Sequence, residues 1–192
     1  MPSRPDARGS GPRTAPPGRR ISPMAAFAIC ATTVAVVDLT SKQLAAARLG
    51  PNGTLRLAVL GDGVRLAVVL NNQSAFGVSL GRYTWHINLA LTLLALVLTI
   101  MLCRALSTLD SWAPIMLGLI AGAATGNLAS LITSPHGVLD FIAITTGPAR
   151  ELVFNFADVA AAFGLILLVR TAWTVARAIA VSGGRAPVVS SR

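Results

Sequence analysis

The chain contains a long apolar run, Trp85-His-Ile-Asn-Leu-Ala-Leu-Thr-Leu-Leu-Ala-Leu-Val-Leu-Thr-Ile-Met-Leu-Cys-Arg-Ala-Leu106, in which Arg104 is the one charged residue. Its length is close to the roughly 20 residues that a helix needs to cross a bilayer, and its apolar residues are continuous, whereas those of a barrel strand alternate. Three further apolar runs cover about 21–49, 112–132 and 152–169. A backbone inside lipid must satisfy its own hydrogen bonds. The sequence therefore predicts an all-α membrane protein with four transmembrane helices.

The composition agrees with a membrane protein, because 54% of the 192 residues are hydrophobic and only 12% are charged. A soluble domain has a much larger charged fraction. Sixteen lysines and arginines against seven acids give a net charge of +9, which in a soluble protein would suggest a nucleic-acid partner. Here most of the excess lies in two tails beside hydrophobic segments, where it indicates membrane topology and contact with anionic lipid. We expect no nucleic-acid partner.

The chain divides into three predicted parts. Residues 1–20, rich in Pro, Gly, Ser and Arg, predict a disordered basic cytoplasmic tail, 21–181 the membrane domain, and 182–192 a second flexible cytoplasmic tail. Two short runs between the first two helices, 55–60 and 64–70, are separated by glycine turns and predict a small extracytoplasmic β-sheet. Ten lysines and arginines lie on the side of both termini and six on the other, so the positive-inside rule predicts that both termini are cytoplasmic.

Two aspartates, Asp140 and Asp158, fall at the same predicted outer face of the membrane. An ionised carboxylate is costly there, so an acid retained in such a place usually faces a polar cavity and marks a functional site. Two neighbouring carboxylates cannot both ionise easily, so one keeps a proton and can serve as an acid while the other serves as a base. Such a pair could activate water for peptide hydrolysis, with Asn127 and Asn155 as amide donors that hold substrate or acids.

Each acid could instead be structural. Asp158 could pair with Arg150 or cap a helix, and Asp38 lies four residues before Lys42 on one helical face, where a local ion pair is the preferred interpretation. The two cysteines and two histidines lack the spacing of metal ligands, so we expect neither a metal nor a cofactor. A transporter that relays protons through buried carboxylates ranks last, because it needs polar residues deep in several helices.

Five short polar motifs follow one another along the chain. They are Asp38-Leu-Thr-Ser-Lys42, Asn71-Asn-Gln-Ser-Ala-Phe-Gly77, Gly126-Asn127, Gly137-Val-Leu-Asp-Phe-Ile142 and Phe154-Asn-Phe-Ala-Asp158. In residues, order and spacing they resemble the lipoprotein signal peptidases, the type II signal peptidases of bacteria, over about 21–181. The resemblance implies a four-helix membrane aspartic endopeptidase with a small extracytoplasmic sheet, which cleaves a signal peptide just before a diacylglyceryl-modified cysteine.

The resemblance also implies roles for particular residues. Asp140 and Asp158 would be the catalytic pair. The residues that would line or support the site are Asn71, Asn127, Asn155, Phe76, Asp38 and Lys42. The implied partners are prolipoprotein signal peptides and membrane lipid, and the implied location is the bacterial cell membrane, with the active site at the outer leaflet. We expect a monomer without a cofactor.

The chain departs from the family pattern in two motifs. The third motif usually reads Gly-Asn-x-x-Asp-Arg, whereas Ser130 and Leu131 stand at its charged positions, and the second motif usually has glycine where this chain has Gln73. Losing both members of a charged pair is easier to tolerate than losing one. The absence of this charged pair nevertheless favours an alternative function, that of a catalytically weak or silent paralogue that binds lipoprotein precursors or other membrane helices.

Overall fold

The computed structural model of the chain describes residues 21–51, 53–56, 63–71, 81–134, 136–148 and 150–183. Within these ranges lie four long helices, α1 Pro23–Leu49, α2 Thr84–Ser107, α3 Ala113–Thr133 and α4 Phe156–Gly183. All four are long and apolar enough to cross a membrane, which confirms the predicted number of spans. The predicted tail 1–20 and residues 184–192 of the second tail lie outside the described residues.

Helix α1 has clear signals at both ends. Its N-cap, Ser22, accepts a hydrogen bond from the Ala25 N–H through its hydroxyl, and Pro23 occupies the first turn, where a missing N–H does no harm. The helix ends at Gly50, whose φ of 65° favours glycine. Its 27 residues span about 40 Å, more than the roughly 30 Å of hydrocarbon in a bilayer. One end of α1 can therefore extend past the apolar layer.

Helix α3 is the centre of the bundle. About 56% of its apolar stretch is buried, against 11% for α1 and α2 and 17% for α4. The backbones of α1 and α3 approach closely, because a Cβ on Gly122 would lie 2.5 Å from the Ala31 carbonyl oxygen. Small residues commonly allow such approaches between membrane helices. The buried cluster around α3 consists of Phe27, Cys103, Ala113, Met116, Leu117 and Ala121.

Within the described part of the chain, four antiparallel strands form one sheet, in the spatial order β1-β2-β3-β4. Strands β1 Thr54–Arg56 and β2 Val64–Asn71 connect α1 to α2, and β3 Val138–Gly147 and β4 Arg150–Phe154 connect α3 to α4. The strands predicted between the first two helices are therefore present, although residues 57–60 of the first lie outside the described part. The sheet joins the ends of the bundle where α1 and α3 finish and where α2 and α4 begin.

The prediction that the fourth helix starts at about residue 152 is wrong. Leu152 belongs to β4 and pairs with Ile144 of β3, and the helix begins only at Phe156. A short apolar run can form either a strand or the first turn of a buried helix, and its periodicity alone does not separate the two. The sheet is consequently twice as large as the sequence predicted.

Candidate active site

Asp140 lies on β3 and is only 1% exposed. The pairing of β2 with β3 shifts just before it, because Leu66 pairs with Ile142 but Val69 pairs with Asp140, so β2 uses one residue more than β3. Such a bulge redirects the side chains that follow it. Beyond the bulge, the Asn71 side chain donates a hydrogen bond from Nδ2 to Asp140 Oδ2 at 2.9 Å. The sheet therefore places an acid, Asp140, and an amide, Asn71, next to each other.

Asp158 is the third residue of α4, which begins at Phe156. The N-cap, Asn155, accepts the Asp158 N–H through Oδ1 at 3.0 Å, and Asp158 Oδ2 accepts the backbone N–H of Asn155 at 3.1 Å. These reciprocal bonds form a capping box. Asp158 therefore does cap a helix, and among the described residues it forms no ion pair with Arg150.

Two amides connect the acids. Asn155, which is fully buried, donates from Nδ2 to Asp140 Oδ1 at 2.6 Å while its Oδ1 caps α4. Asn127 of α3 donates from Nδ2 to Asp158 Oδ1 at 3.2 Å and accepts a hydrogen bond from Asn155 Nδ2 at 3.2 Å. The structure therefore brings together four of the side chains that the sequence singled out. They come from β3, α3 and the start of α4.

The predicted local pair on α1 is present and forms the base of this network. Lys42 Nζ lies 2.6 Å from Asp38 Oδ2, and both side chains are buried. Asp38 Oδ1 accepts the Ala157 N–H in the first turn of α4 at 2.9 Å, and Lys42 donates to Asn127 Oδ1 at 2.8 Å. A Cβ on Gly126 would lie 2.3 Å from Asp38 Oδ2, so only glycine leaves room for this carboxylate. The pair links α1 to α3 and α4.

Burial raises the pKa of Asp140 from 3.8 to about 6. The hydrogen bonds from Asn71 and Asn155 oppose the rise, because they favour the charged form, and the nearby charge of Asp158 adds to it. Asp140 therefore binds a proton at a pH where an ordinary aspartate is ionised. A carboxyl with this property beside a second carboxyl can donate and recover a proton during a reaction.

The two substituted positions of the third motif are packed against their surroundings. Ser130 is 8% exposed and donates to the Gly126 carbonyl, and Leu131 is 1% exposed. The Leu131 carbonyl accepts the indole N–H of Trp85 at 3.1 Å, which ties α2 to α3. The remaining predicted site residue, Phe76, and the substituted position Gln73 lie outside the described residues.

Sequence reasoning did not assign roles to Gly126 or Ala157. Gly126 offered a weak signal, since glycine inside a helix usually marks a close approach. The Ala157 N–H offered none, because a backbone donor leaves no trace in the residue type. Within the described ranges, no group of three or more His, Cys, Asp or Glu side chains could hold a metal ion.

Comparisons with known proteins agree with this arrangement. A family model described as signal peptidase (SPase) II matches residues 30–174. The lipoprotein signal peptidase of Mycolicibacterium smegmatis is 34% identical over 169 residues, which are 85% of this chain and 66% of that protein. The lipoprotein signal peptidase of Rhodococcus jostii is 37% identical over 147 residues, 73% of this chain and 69% of its own length.

The fold is also found in a solved structure. A bacterial membrane enzyme determined by the in meso method at 2.3 Å resolution superposes with a TM-score of 0.66 over 77% of this chain and 87% of its own, at 18% identity. At that identity the likeness concerns the fold alone. The match of the family model over residues 30–174 shows that the chain belongs to the signal peptidase II family.

Proposed function

We propose that this protein is a membrane aspartic endopeptidase that removes signal peptides from prolipoproteins by cleaving before the diacylglyceryl-modified cysteine. Its relatives carry the name lipoprotein signal peptidase. The observation that carries the proposal for this chain is the single buried amide of Asn155, which is bonded to both Asp140 and Asp158. The amide nitrogen holds the Asp140 carboxylate and the amide oxygen holds the backbone of Asp158, so one residue fixes an acid and a base relative to each other.

The difference in burial assigns the two roles. Asp140 is almost completely buried, whereas Asp158 is half-buried, and a negative charge is more costly at the more buried position. Asp140 is therefore the acid that holds a proton more tightly, and Asp158 is the charged partner. Asn127 and the Asn155 N–H each donate to Asp158, so its two oxygens are directed by fixed donors.

Hydrolysis then proceeds with balanced proton transfers. Asp158 removes a proton from water as the water oxygen bonds to the scissile carbonyl carbon, and Asp140 gives its proton to the carbonyl oxygen. In the second step the C–N bond breaks, the proton on Asp158 passes to the leaving amine, and Asp140 recovers a proton from the hydroxyl group as the carbonyl of the product re-forms. Neither acid is consumed.

The membrane orientation is part of the same proposal. The excess of lysine and arginine on the side of the two termini supports cytoplasmic termini in a bacterial cell membrane. Asp140 and Asp158 would then lie near the outer leaflet, where signal peptides of exported precursors end. A diacylglyceryl group anchors such a precursor in that leaflet, and we propose that the protein acts as a monomer there.

The experiment that tests this function incubates the purified protein in detergent or lipid with a diacylglyceryl-modified precursor and with the same precursor unmodified. Mass spectrometry should find one cut, directly before the modified cysteine, and no cut in the unmodified chain. Cleavage elsewhere, or equal cleavage of both precursors, would contradict the proposal.

The second candidate is a silent paralogue that binds precursors without cutting them. It is favoured by Ser130 and Leu131, which put a hydroxyl and a buried aliphatic side chain where the family usually has a charged pair. The same experiment separates the two functions. Binding of the modified precursor without any product identifies the silent paralogue, whereas a product at the modified cysteine excludes it.

A further inference from the structure

The two amides of the site have orientations that their neighbours impose. An amide oxygen only accepts hydrogen bonds and an amide nitrogen only donates. The Asp158 N–H donates to Asn155 Oδ1, so the Asn155 nitrogen must face Asp140. Lys42 donates to Asn127 Oδ1, so the Asn127 nitrogen must face Asp158. Asp140 and Asp158 therefore each accept a hydrogen bond from an amide nitrogen. The oxygen of each amide accepts a hydrogen bond from a group that can only donate.

We propose that Lys42 is a positioning residue of the hydrolytic site, which holds the Asn127 amide with its donor toward Asp158 without touching either acid. This inference rests on the proposed function. It adds a role to a residue that the i,i+4 spacing had explained as half of a local ion pair. The chain of contacts runs from Lys42 Nζ through Asn127 Oδ1 and Nδ2 to Asp158 Oδ1, at 2.8 and 3.2 Å.

The surroundings of Lys42 support this role. Lys42 is only 4% exposed. Its ammonium group forms an ion pair with Asp38 Oδ2 at 2.6 Å and donates hydrogen bonds to Asn127 Oδ1 at 2.8 Å and to the Gly126 carbonyl at 3.5 Å. A buried ion pair adds little net stability compared with apolar packing. Its retention in an apolar bundle is therefore better explained by the geometry that it imposes.

The charged partner of Lys42 has a separate task. Asp38 Oδ1 accepts the Ala157 N–H and so fixes the first turn of α4, which carries Asp158. An Asp38→Asn substitution keeps an oxygen for this N–H while it removes the charge. Capping of α4 and orientation of Asn127 can therefore be changed one at a time.

The test is a double-mutant cycle between Lys42 and Asn127. Removing one member of the buried pair would leave the other charge unpaired, so every variant with a substituted Lys42 also carries Asp38→Asn. The rates of cleavage of a diacylglyceryl-modified precursor are compared for the wild type, for the Lys42→Met variant, for Asn127→Ala, and for all of these substitutions together. Thermal unfolding of each variant checks that it is folded.

If Lys42 acts through Asn127, Lys42→Met lowers kcat about 10-fold or more with little change in KM, and has no further effect once Asn127 is alanine. Lys42→Gln, which can still donate to the amide, should restore kcat. Equal effects of Lys42→Met with and without Asn127, or no effect at all, would overturn the inference. A wild-type protein that never cleaves would refute the proposed function instead.

A further variant tests the same chain of contacts without any substitution at position 42. Asn127→Asp in the wild-type background can still accept from Lys42 but has no N–H to donate to Asp158. We expect kcat to fall as far as with Asn127→Ala. Wild-type kcat in the Asn127→Asp variant would also overturn the inference, because the donor to Asp158 would then be dispensable.

Discussion

Buried or nearly buried aspartates lie at both ends of the bundle, and their partners differ. Asp110, in the turn between α2 and α3, has a side chain 9% exposed and accepts hydrogen bonds from the Thr171 hydroxyl at 2.6 Å, from Arg170 at 2.9 Å and from the Trp112 N–H at 3.0 Å. Asp140, at the sheet end, receives side-chain hydrogen bonds from two neutral amides, those of Asn71 and Asn155. The first acid has a direct cationic partner, while the second has another acid close by.

The pKa values move in opposite directions as a result. The Thr171 hydroxyl, the Trp112 N–H and Arg170 lower the pKa of Asp110, whereas burial raises that of Asp140 to about 6. An acid that accepts hydrogen bonds from a cation and from other donors is stable in its ionised form, so its bonds can hold helices together. An acid that is buried beside a second acid exchanges its proton more readily near neutral pH. Burial raises the pKa of Asp140 and hydrogen bonds lower that of Asp110, so burial and partners together distinguish the two aspartates.

The largest expected effect comes from removing the amide that joins the acids. Asn155→Ala takes away the donor to Asp140 and the cap of α4, so we expect cleavage to slow by about 100-fold as the acids lose their alignment. The lost cap and the lost hydrogen bond to Asp140 should lower the free energy of unfolding by about 1–2 kcal/mol. Rates and denaturant unfolding measure the two effects separately.

Thr171→Val is the matched control at the other end of the bundle. It removes one hydrogen bond from Asp110 and should reduce stability by about 1 kcal/mol without slowing cleavage in the folded protein. If Thr171→Val slowed the reaction as much as Asn155→Ala, the two ends of the bundle would not differ in function.

The pH dependence of stability should also separate the two acids. The folded-state pKa of Asp140 is about 6, above the ordinary 3.8, so its contribution to stability is fully present below the ordinary value and is lost as pH rises through about 6. The difference corresponds to about 3 kcal/mol. Between about pH 4 and pH 7, the wild type should therefore lose stability relative to Asp140→Asn.

Asp110→Asn should behave in the opposite sense. Because the pKa of Asp110 is lowered, its contribution is present above the ordinary value and is lost as pH falls through the lowered pKa. The stability of the wild type relative to Asp110→Asn should thus increase with pH. Unfolding measured for both variants across a pH series that extends below 3.8 checks the signs, and equal signs would contradict the comparison.

The close approach at the base of the site gives a smaller effect. An added Cβ at Gly126 would lie 2.3 Å from Asp38 Oδ2, so Gly126→Ala must displace the carboxylate and should cost about 1–3 kcal/mol of stability. Gly147→Ala on β3 meets no atom within 4 Å and is the control. Similar unfolding midpoints for the two variants would mean that the Asp38 contact is not tight.

The smallest effect is expected on the sheet, at the exposed pair of Arg65 and Glu151. Their side chains are 29% and 39% exposed, and exposed ion pairs contribute little because water and salt screen them. Glu151→Gln should leave both the cleavage rate and the unfolding midpoint at wild-type values in physiological salt. A large loss of activity would show that the site extends along the sheet.

Much of the fold was predictable because bilayer thickness determines how long an apolar helix must be. The second helix was predicted over 85–106 and found at Thr84–Ser107, and the third was predicted over 112–132 and found at Ala113–Thr133. Strands β3 and β4 were missed, because their pairing partners lie far apart along the chain and each apolar run is too short to show its period.

The candidate site was predictable in its side chains but not in its connections. Acids and amides in an apolar chain stand out by residue type, and the family motifs grouped them. The capping box of Asn155 and the bond from the Ala157 N–H to Asp38 use backbone donors, which any residue supplies. The orientation of Asn127 depends on Lys42 of another helix, so only the packing of α1 against α3 reveals it.

The central claim is that Asp140 and Asp158 carry out hydrolysis together while Asp110 only holds helices. The most direct test measures initial rates on one diacylglyceryl-modified precursor for Asp140→Asn, Asp158→Asn and Asp110→Asn, each shown to be folded. We expect losses of at least about 100-fold for the first two, since each removes a proton-transfer group, and a rate near that of the wild type for the third. Cleavage by Asp140→Asn or Asp158→Asn at the wild-type rate would contradict the account.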